Sequence, residues 1–189
     1  MQIVLVPTRL STMMKSKKIA VSTVAAILMI LLYILIFSFS EQNGEQSSDV
    51  SLKVSLKCVE IAETVSHSNW TQTFKQKLAV YFEHPIRKLA HFCEYACLGV
   101  LVYLMWVPWM RQRRHLILLT ILWVFLSAAM DEIHQLYVPD RSGAFADVLL
   151  DTCGGTFGML MTIWLGWFVT RLIAWRKSYK VHRNQSCTE

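Results

Sequence analysis

Four long apolar stretches alternate with polar segments along the chain. They cover residues 19–39, 89–107, 116–130 and 148–170, and the first of them contains no charged residue. At about 1.5 Å of rise per residue, roughly 20 apolar residues cross the hydrocarbon core of a bilayer. The pattern therefore predicts an all-α integral membrane protein with four transmembrane helices. The third stretch is the shortest, and tilt or local thinning of the bilayer would accommodate it.

The connection at residues 40–88 is the only polar segment large enough to fold outside the bilayer. Ser48-Asp49 offers a helix N-cap, and the apolar residues that follow predict an amphipathic helix over residues 50–65. The predicted apolar face consists of Leu52, Leu56, Val59 and Ala62. A second short helix is predicted to end before Pro85, with Phe74, Leu78 and Phe82 on one face. Such helices tend to lie in the headgroup layer, either as a lid on the span ends or as a binding element.

The two ends of the chain complete the predicted organisation. Residues 1–18 form a cytoplasmic segment, residues 19–175 the four-helix membrane domain, and residues 176–189 a basic cytoplasmic tail. Lysines before the first span and small residues after it also fit a cleaved signal peptide. The apolar run is longer than the apolar h-region of a signal peptide, which has about 7–15 residues, and this favours an uncleaved anchor. The pair Met13-Met14 is an alternative translation start.

Composition and charge agree with a membrane protein and indicate its orientation. Of the 189 residues, 54% are hydrophobic and 17% are charged, which excludes a disordered chain and fits a single soluble domain poorly. Twelve basic residues and one acid flank one side of the spans, against 7 basic and 12 acidic residues for the rest of the chain. The positive-inside rule then places both termini in the cytoplasm. Because the basic residues flank membrane helices, the net charge of +6 calls for no nucleic-acid partner.

Several polar residues lie within or at the ends of the predicted spans, where they are costly. They are His91 and Glu94 in span two, Asp131, Glu132, His134 and Gln135 at the end of span three, and Asp147 and Asp151 at the start of span four. Such residues normally face a protein interior or a water-filled cavity. The predicted topology brings all eight to one depth near the external face. Within each span, two of these residues are spaced i, i+3 or i, i+4 and can share a helical face: His91 with Glu94, Asp131 with His134, and Asp147 with Asp151.

Three basic residues near this level are candidate partners. Arg87 and Lys88 precede span two, and Arg141 lies between spans three and four. They could pair with the carboxylates of the cluster or bind a phosphate or carboxylate of a ligand. Gly154 and Gly158 form a small-residue face on span four that predicts close packing with a neighbouring helix.

The cluster is compatible with more than one chemistry. Carboxylates and imidazoles at one site allow acid and base forms to coexist, and the same residues could bind a divalent metal such as zinc. No metal, nucleotide or hydrolase motif is present, and the five cysteines form no CxxC pair. The sequence therefore identifies neither a metal nor another cofactor. A structural polar network and an ion path are the alternatives to a binding or catalytic site.

Three ordered blocks resemble the signatures of VanZ-like membrane proteins. They are RKLAHFCEY at 87–95, DEIHQ at 131–135 followed by Pro139 and Arg141, and DVLLD at 147–151 ahead of Gly154. The resemblance covers about residues 15–175, including Phe37-Ser38 after span one. Asp151 stands where the family commonly has Asn. The resemblance implies a multi-pass protein of the bacterial cell membrane, in a family whose type member is linked to low-level resistance to teicoplanin.

Together these observations predict an external-face site that binds or modifies a lipid-linked envelope molecule. The predicted catalytic or orienting residues are His91, Glu94, Asp131, Glu132, His134 and Asp147. The predicted ligand-binding residues are Arg87, Lys88, Gln135, Arg141 and Asp151. Expected partners are membrane lipid and either a lipid-linked cell-wall precursor or a lipoglycopeptide. The alternative is a non-enzymatic structural or shielding module whose polar cluster only holds the helices together.

Overall fold

The computed structural model describes the backbone of residues 7–185 and the side chains of residues 15–176. The described part of the chain is all helical, with α1 (Pro7–Ser40), α2 (Gly44–Val65), α3 (Gln72–Trp106), α4 (Arg113–Gln135) and α5 (Phe145–Gln185). The alternative start at Met13-Met14 and nearly all of the predicted tail at 176–189 lie outside the described side chains.

Four of these helices contain segments that are long and apolar enough to cross a membrane. The segments are Lys15–Ser40, Gln72–Trp106, Arg113–Gln135 and Phe145–Arg176. Large apolar side chains along them are exposed, as expected for helices whose solvent is lipid. The prediction of an all-α membrane protein with four transmembrane helices is confirmed.

Glycines bring α3 and α5 into direct backbone contact. A Cβ at Gly154 would overlap the main chain of Phe92, and one at Gly158 would overlap the main chain of Ala96. Gly99 of α3 lies against the backbone of Gly155 in the same way. The predicted small-residue face on the last span is therefore confirmed as a helix-packing face.

The buried core lies mainly on α3 and includes Tyr95, Leu98 and Val102, which pack with Val124 and Ala128 of α4. Helix α1 packs chiefly on α3 and contacts α4 only lightly. Within the spans, the Tyr33 and Ser127 hydroxyls are 2.6 Å apart, and Trp123 Nε1 donates to the Tyr33 hydroxyl at 2.9 Å. These bonds tie α1 to α4 within the bilayer.

The helix predicted between the first two spans differs from its prediction in its start and in its buried face. Helix α2 begins at Gly44, six residues before the predicted start, because Asn43 caps it by accepting from the Gln46 amide at 2.8 Å. The buried stripe is Ser47, Ser51, Ser55 and Val59, and Leu52 and Leu56 are only half-buried. Small serines allow close packing on α3, where the Ser55 hydroxyl donates to the buried Ala79 carbonyl at 2.7 Å.

The prediction of a separate short helix ending before Pro85 is wrong. Helix α3 continues through Pro85, and its Thr71 N-cap accepts from the Phe74 amide at 3.3 Å. An ion pair between Glu83 and Arg87 spans the proline, and packing against α2 supports this part of the helix. With 35 residues α3 is roughly 52 Å long, well beyond the bilayer core of about 30 Å. Its first turns and α2 therefore form a hairpin outside the spans.

Candidate functional site

A polar cavity of about 210 Å³ lies at one end of the bundle, where α4 ends and α5 begins. We call this the polar end. Eight of the predicted site residues line the cavity: Arg87, Lys88, His91, Glu132, Gln135, Arg141, Asp147 and Asp151. They come from α3, α4, α5 and the loop before α5, so distant sequence segments supply one cavity.

Some of these residues are engaged in holding the fold together. Lys88 of α3 forms an ion pair with Asp147 of α5. The buried Glu132 carboxylate accepts from the Ala144 amide at 2.8 Å and so fixes the loop that leads into α5. Both interactions join separate elements, which gives these side chains a structural role whatever else they do.

The two arginines of the cavity are engaged differently from Lys88. Arg87 forms an ion pair with Glu83 one turn earlier and donates to the Ser48 hydroxyl of α2 at 2.8 Å. Arg141 donates to the Phe39 carbonyl at the end of α1 at 2.9 Å, and it forms no ion pair with a carboxylate of the described residues. Of the two alternatives left open for these arginines, ion pairing with the carboxylates of the predicted cluster does not occur among the described residues.

The surroundings of Arg141 disfavour the charged form of its guanidinium. Burial and the neighbouring Arg87 guanidinium lower the pKa of Arg141, and Asp131 and Glu132 offset this only in part. The Nε atoms of Arg87 and Arg141 are both buried without a hydrogen-bond partner among the described residues. Unsatisfied buried donors are uncommon in folded proteins and costly. Within the described residues, no ion pair offsets the charge of Arg141.

His91 and Asp151 add two further unsatisfied atoms to the cavity. His91 Nδ1 is buried and lies 3.9 Å from the nearest Glu94 oxygen, beyond hydrogen-bond distance. Asp151 is 2% exposed, and its Oδ1 accepts no hydrogen bond from the described residues. An imidazole and a carboxylate thus share the cavity with the two guanidiniums.

The other three predicted residues lie beside this cavity rather than in it. Glu94 lines a neighbouring cavity of about 230 Å³, which shares Arg87, His91 and Arg141 with the first. Asp131 and His134 line a larger groove of about 720 Å³ between α1 and α4. The structure therefore distributes the predicted cluster over three adjoining spaces, all at the polar end.

Sequence reasoning missed several residues of this region. His84, Asp140, Ser142 and Leu150 also line the polar cavity. Glu83 was detectable, because an acid four residues before Arg87 on a helix is an i, i+4 pair. Ser48 and the Phe39 carbonyl carry no sequence signal, since only the tertiary fold brings them to the arginines.

No group of three or more His, Cys, Asp or Glu side chains is arranged to hold a metal ion within the described residues. The cavity instead combines two guanidiniums, an amine, imidazoles and carboxylates. Such a set can bind an anion through charge-assisted hydrogen bonds and can exchange protons with it.

The fold and this cavity define a multi-pass, all-helical membrane protein with a polar chamber at one end of four spans. Comparison with protein families identifies it further. The model of the VanZ/LLP1 family matches residues 25–169, and the chain belongs to that family. The resemblance to VanZ-like proteins is thereby confirmed. No curated protein and no solved structure shows significant similarity to the chain.

Proposed function

We propose that this protein binds the anionic headgroup of a lipid-linked cell-envelope molecule at the external face of the bacterial cell membrane. The observation that carries the proposal is the pair of guanidiniums, Arg87 and Arg141, in one partly buried cavity. Arg141 forms no ion pair with a described carboxylate, and both Nε donors are unsatisfied. A phosphate or carboxylate in the cavity would pair with these guanidiniums and offset the repulsion between the two cations.

The cavity contains carboxylates, but two of them are already engaged. Asp147 is paired with Lys88, and Glu132 accepts from a backbone amide. An arginine that faces an anion can form two parallel hydrogen bonds, which favours a phosphate or carboxylate over a neutral headgroup. His91, with its unsatisfied Nδ1, is the nearest candidate for proton exchange with such a group. The catalytic roles predicted for His91, Glu94 and the other acids stay predictions.

The orientation predicted from the basic residues puts the polar end at the external side of the membrane. Lipid-linked cell-wall precursors and lipoglycopeptides such as teicoplanin carry anionic groups there. Contribution to teicoplanin resistance is therefore part of the proposal, as the family relationship suggests.

A purely structural role for the polar cluster is the second candidate. The Lys88–Asp147 pair and the bond from the Ala144 amide to Glu132 favour it, because both join separate elements. The two candidates differ at Arg141, whose side chain donates to a backbone carbonyl and to no other group of the described residues. A structural role would make this residue matter for stability, and a binding role would make it matter for affinity.

The test is binding of undecaprenyl phosphate to the purified protein in nanodiscs of neutral lipid. Arg141→Gln should raise the dissociation constant by about tenfold or more, because a hydrogen bond to a charged group contributes about 1.5–3 kcal/mol. Arg114→Gln, at an exposed arginine of the opposite end, is the matched control and should bind as the wild type does. Equal affinity of both variants, or a loss of folded protein in Arg141→Gln that accounts for the weaker binding, would contradict the proposal.

A further inference from the structure

The groove between α1 and α4 is the largest of the described cavities and is mainly apolar. Its walls include Ile30, Ile34 and Phe37 of α1 and Met130 of α4. These four side chains are between 54% and 72% exposed, so the groove is open on the side that faces lipid. Its volume of about 720 Å³ lies within the range of roughly 300–1,000 Å³ typical of ligand sites.

Helices α1 and α4 contact each other only lightly, which leaves the groove between them. The hydroxyls of Tyr33 and Ser127, 2.6 Å apart, lie among its lining residues and link the two helices. From Ile30 to Ser38, α1 lines the groove toward the polar end over a helical length of about 12 Å. The groove thus follows the half of the Lys15–Ser40 span that lies toward the polar end.

Two contacts place the polar end of the groove next to the polar cavity. Gln135, which lines the cavity, donates to the groove residue Asp131 at 3.1 Å. Arg141, which also lines the cavity, donates to the carbonyl of Phe39, two residues after Phe37 of the groove. The groove therefore ends beside the guanidiniums.

The rim of the groove at this end is polar. The His134 ring packs against Phe37 at a tilt of 39° with centroids 4.9 Å apart, and its buried Nδ1 has no partner among the described residues. Asp131 lies one helical turn earlier on the same side. The space as a whole has an apolar body and a polar opening next to cations, which matches a lipid chain joined to an anionic headgroup.

We propose that the α1–α4 groove holds one hydrocarbon chain of the lipid whose anionic headgroup occupies the polar cavity. The chain would enter sideways from the leaflet on the polar side, and Asp131 and His134 would contact the junction between chain and headgroup. This inference rests on the proposed function and specifies its ligand as an amphiphile with its chain bound to the protein.

The physical basis is packing rather than the hydrophobic effect, since bilayer lipid is as apolar as the groove. A chain in the groove gains close carbon contacts and correct placement of the headgroup. A bulky side chain in the groove should remove both. Loss of roughly a dozen carbon contacts is enough to weaken binding by about tenfold.

Ile34→Trp fills the groove, and Leu31→Trp is the matched control. Ile34 is 58% exposed and lines the groove, whereas Leu31 is 57% exposed on the same helix and lies outside it. In nanodiscs, Ile34→Trp should raise the dissociation constant for undecaprenyl phosphate by about tenfold or more, and Leu31→Trp should leave it within about twofold. Binding of methyl phosphate, which has no long chain, should be the same in both variants.

A second pair of variants, on α4, tests whether the effect is specific to substitutions in α1. Met130→Trp should weaken undecaprenyl phosphate binding as Ile34→Trp does, and Leu126→Trp, at an exposed position outside the groove, should not. If the wild type binds this lipid through Arg141 but neither groove variant weakens binding, the groove inference fails and the proposed function stands. Equal weakening by groove and control variants also overturns the inference. If the wild type does not bind the lipid, the proposed function itself fails.

Discussion

Gly158→Ala tests whether backbone contact between α3 and α5 stabilises the bundle beneath the polar cavity. The added Cβ would overlap the carbonyl of Ala96, which belongs to the rigid main chain and cannot move aside as a flexible side chain could. The helices would have to separate by about 1 Å or more to restore a carbon contact distance near 3.5 Å. We expect overpacking of this kind to lower the free energy of unfolding by about 1–3 kcal/mol.

Gly166→Ala is the matched control for this substitution. Gly166 lies on the same helix, and a Cβ there would meet nothing within 4 Å. Alanine is the better helix former by about 1 kcal/mol, so Gly166→Ala should be neutral or slightly stabilising. The assay is the midpoint of thermal unfolding in detergent, which shifts by about 2–4 °C per kcal/mol for a chain of this size. A Gly158→Ala variant as stable as Gly166→Ala would refute the packing argument.

Three further predictions concern the ion pair, the resistance phenotype and the external hairpin. Lys88→Met should reduce membrane abundance, because it leaves Asp147 without its partner, and the double variant with Asp147→Asn should recover part of the loss when abundance is measured by immunoblot. If expression of the protein raises the teicoplanin concentration that inhibits growth, Arg141→Gln should abolish the increase and Arg114→Gln should retain it, at equal abundance. A hydrogen bond from Lys75 and one from the Trp70 amide lower the pKa of Glu63. The stability that these two bonds give to the folded chain is therefore fully present above pH 4.5 and is lost as the pH falls through the lowered pKa. The protection factors of the amides at residues 63–72, which are corrected for the intrinsic exchange rate at each pH, should therefore fall in acid, and Glu63→Gln should show that lower protection already at neutral pH.

The level of the polar residues along the bundle was predictable from sequence because the physical constraint is strong. Apolar length sets where each helix crosses, and alternating direction then assigns each ionisable residue a depth. This reasoning places His91, Glu132 and Asp151 at one end of the bundle, and all three line the polar cavity of the structure. The small-residue face with Gly158 followed from spacing alone in the same way.

The partners of these residues were not predictable, because they depend on rotation about each helix axis and on loops. Asp131 and Glu132 are adjacent in sequence, yet Asp131 lines the apolar groove and Glu132 the polar cavity. The interruption expected at Pro85 did not occur, since tertiary support from α2 and the Glu83–Arg87 pair outweighs the local cost of the proline. The buried serine face of α2 escaped a search for apolar periodicity because close approach favours small residues over large apolar ones.

Some residues of the polar cluster join separate helices and loops, whereas Arg141 forms no ion pair within the described part of the chain, and this difference decides how mutations in the cluster should be interpreted. Substitution of Lys88, Asp147 or Glu132 breaks a contact between elements, so loss of function there follows equally from a binding site and from a structural network. Substitution of Arg141 removes a side chain with one hydrogen bond to a backbone carbonyl and one buried unsatisfied donor, so it disturbs little of the described fold. A functional defect in Arg141→Gln at normal abundance therefore argues for a ligand, and the same defect in Lys88→Met does not. Scans that record activity without abundance would assign both residues to the site and miss this difference.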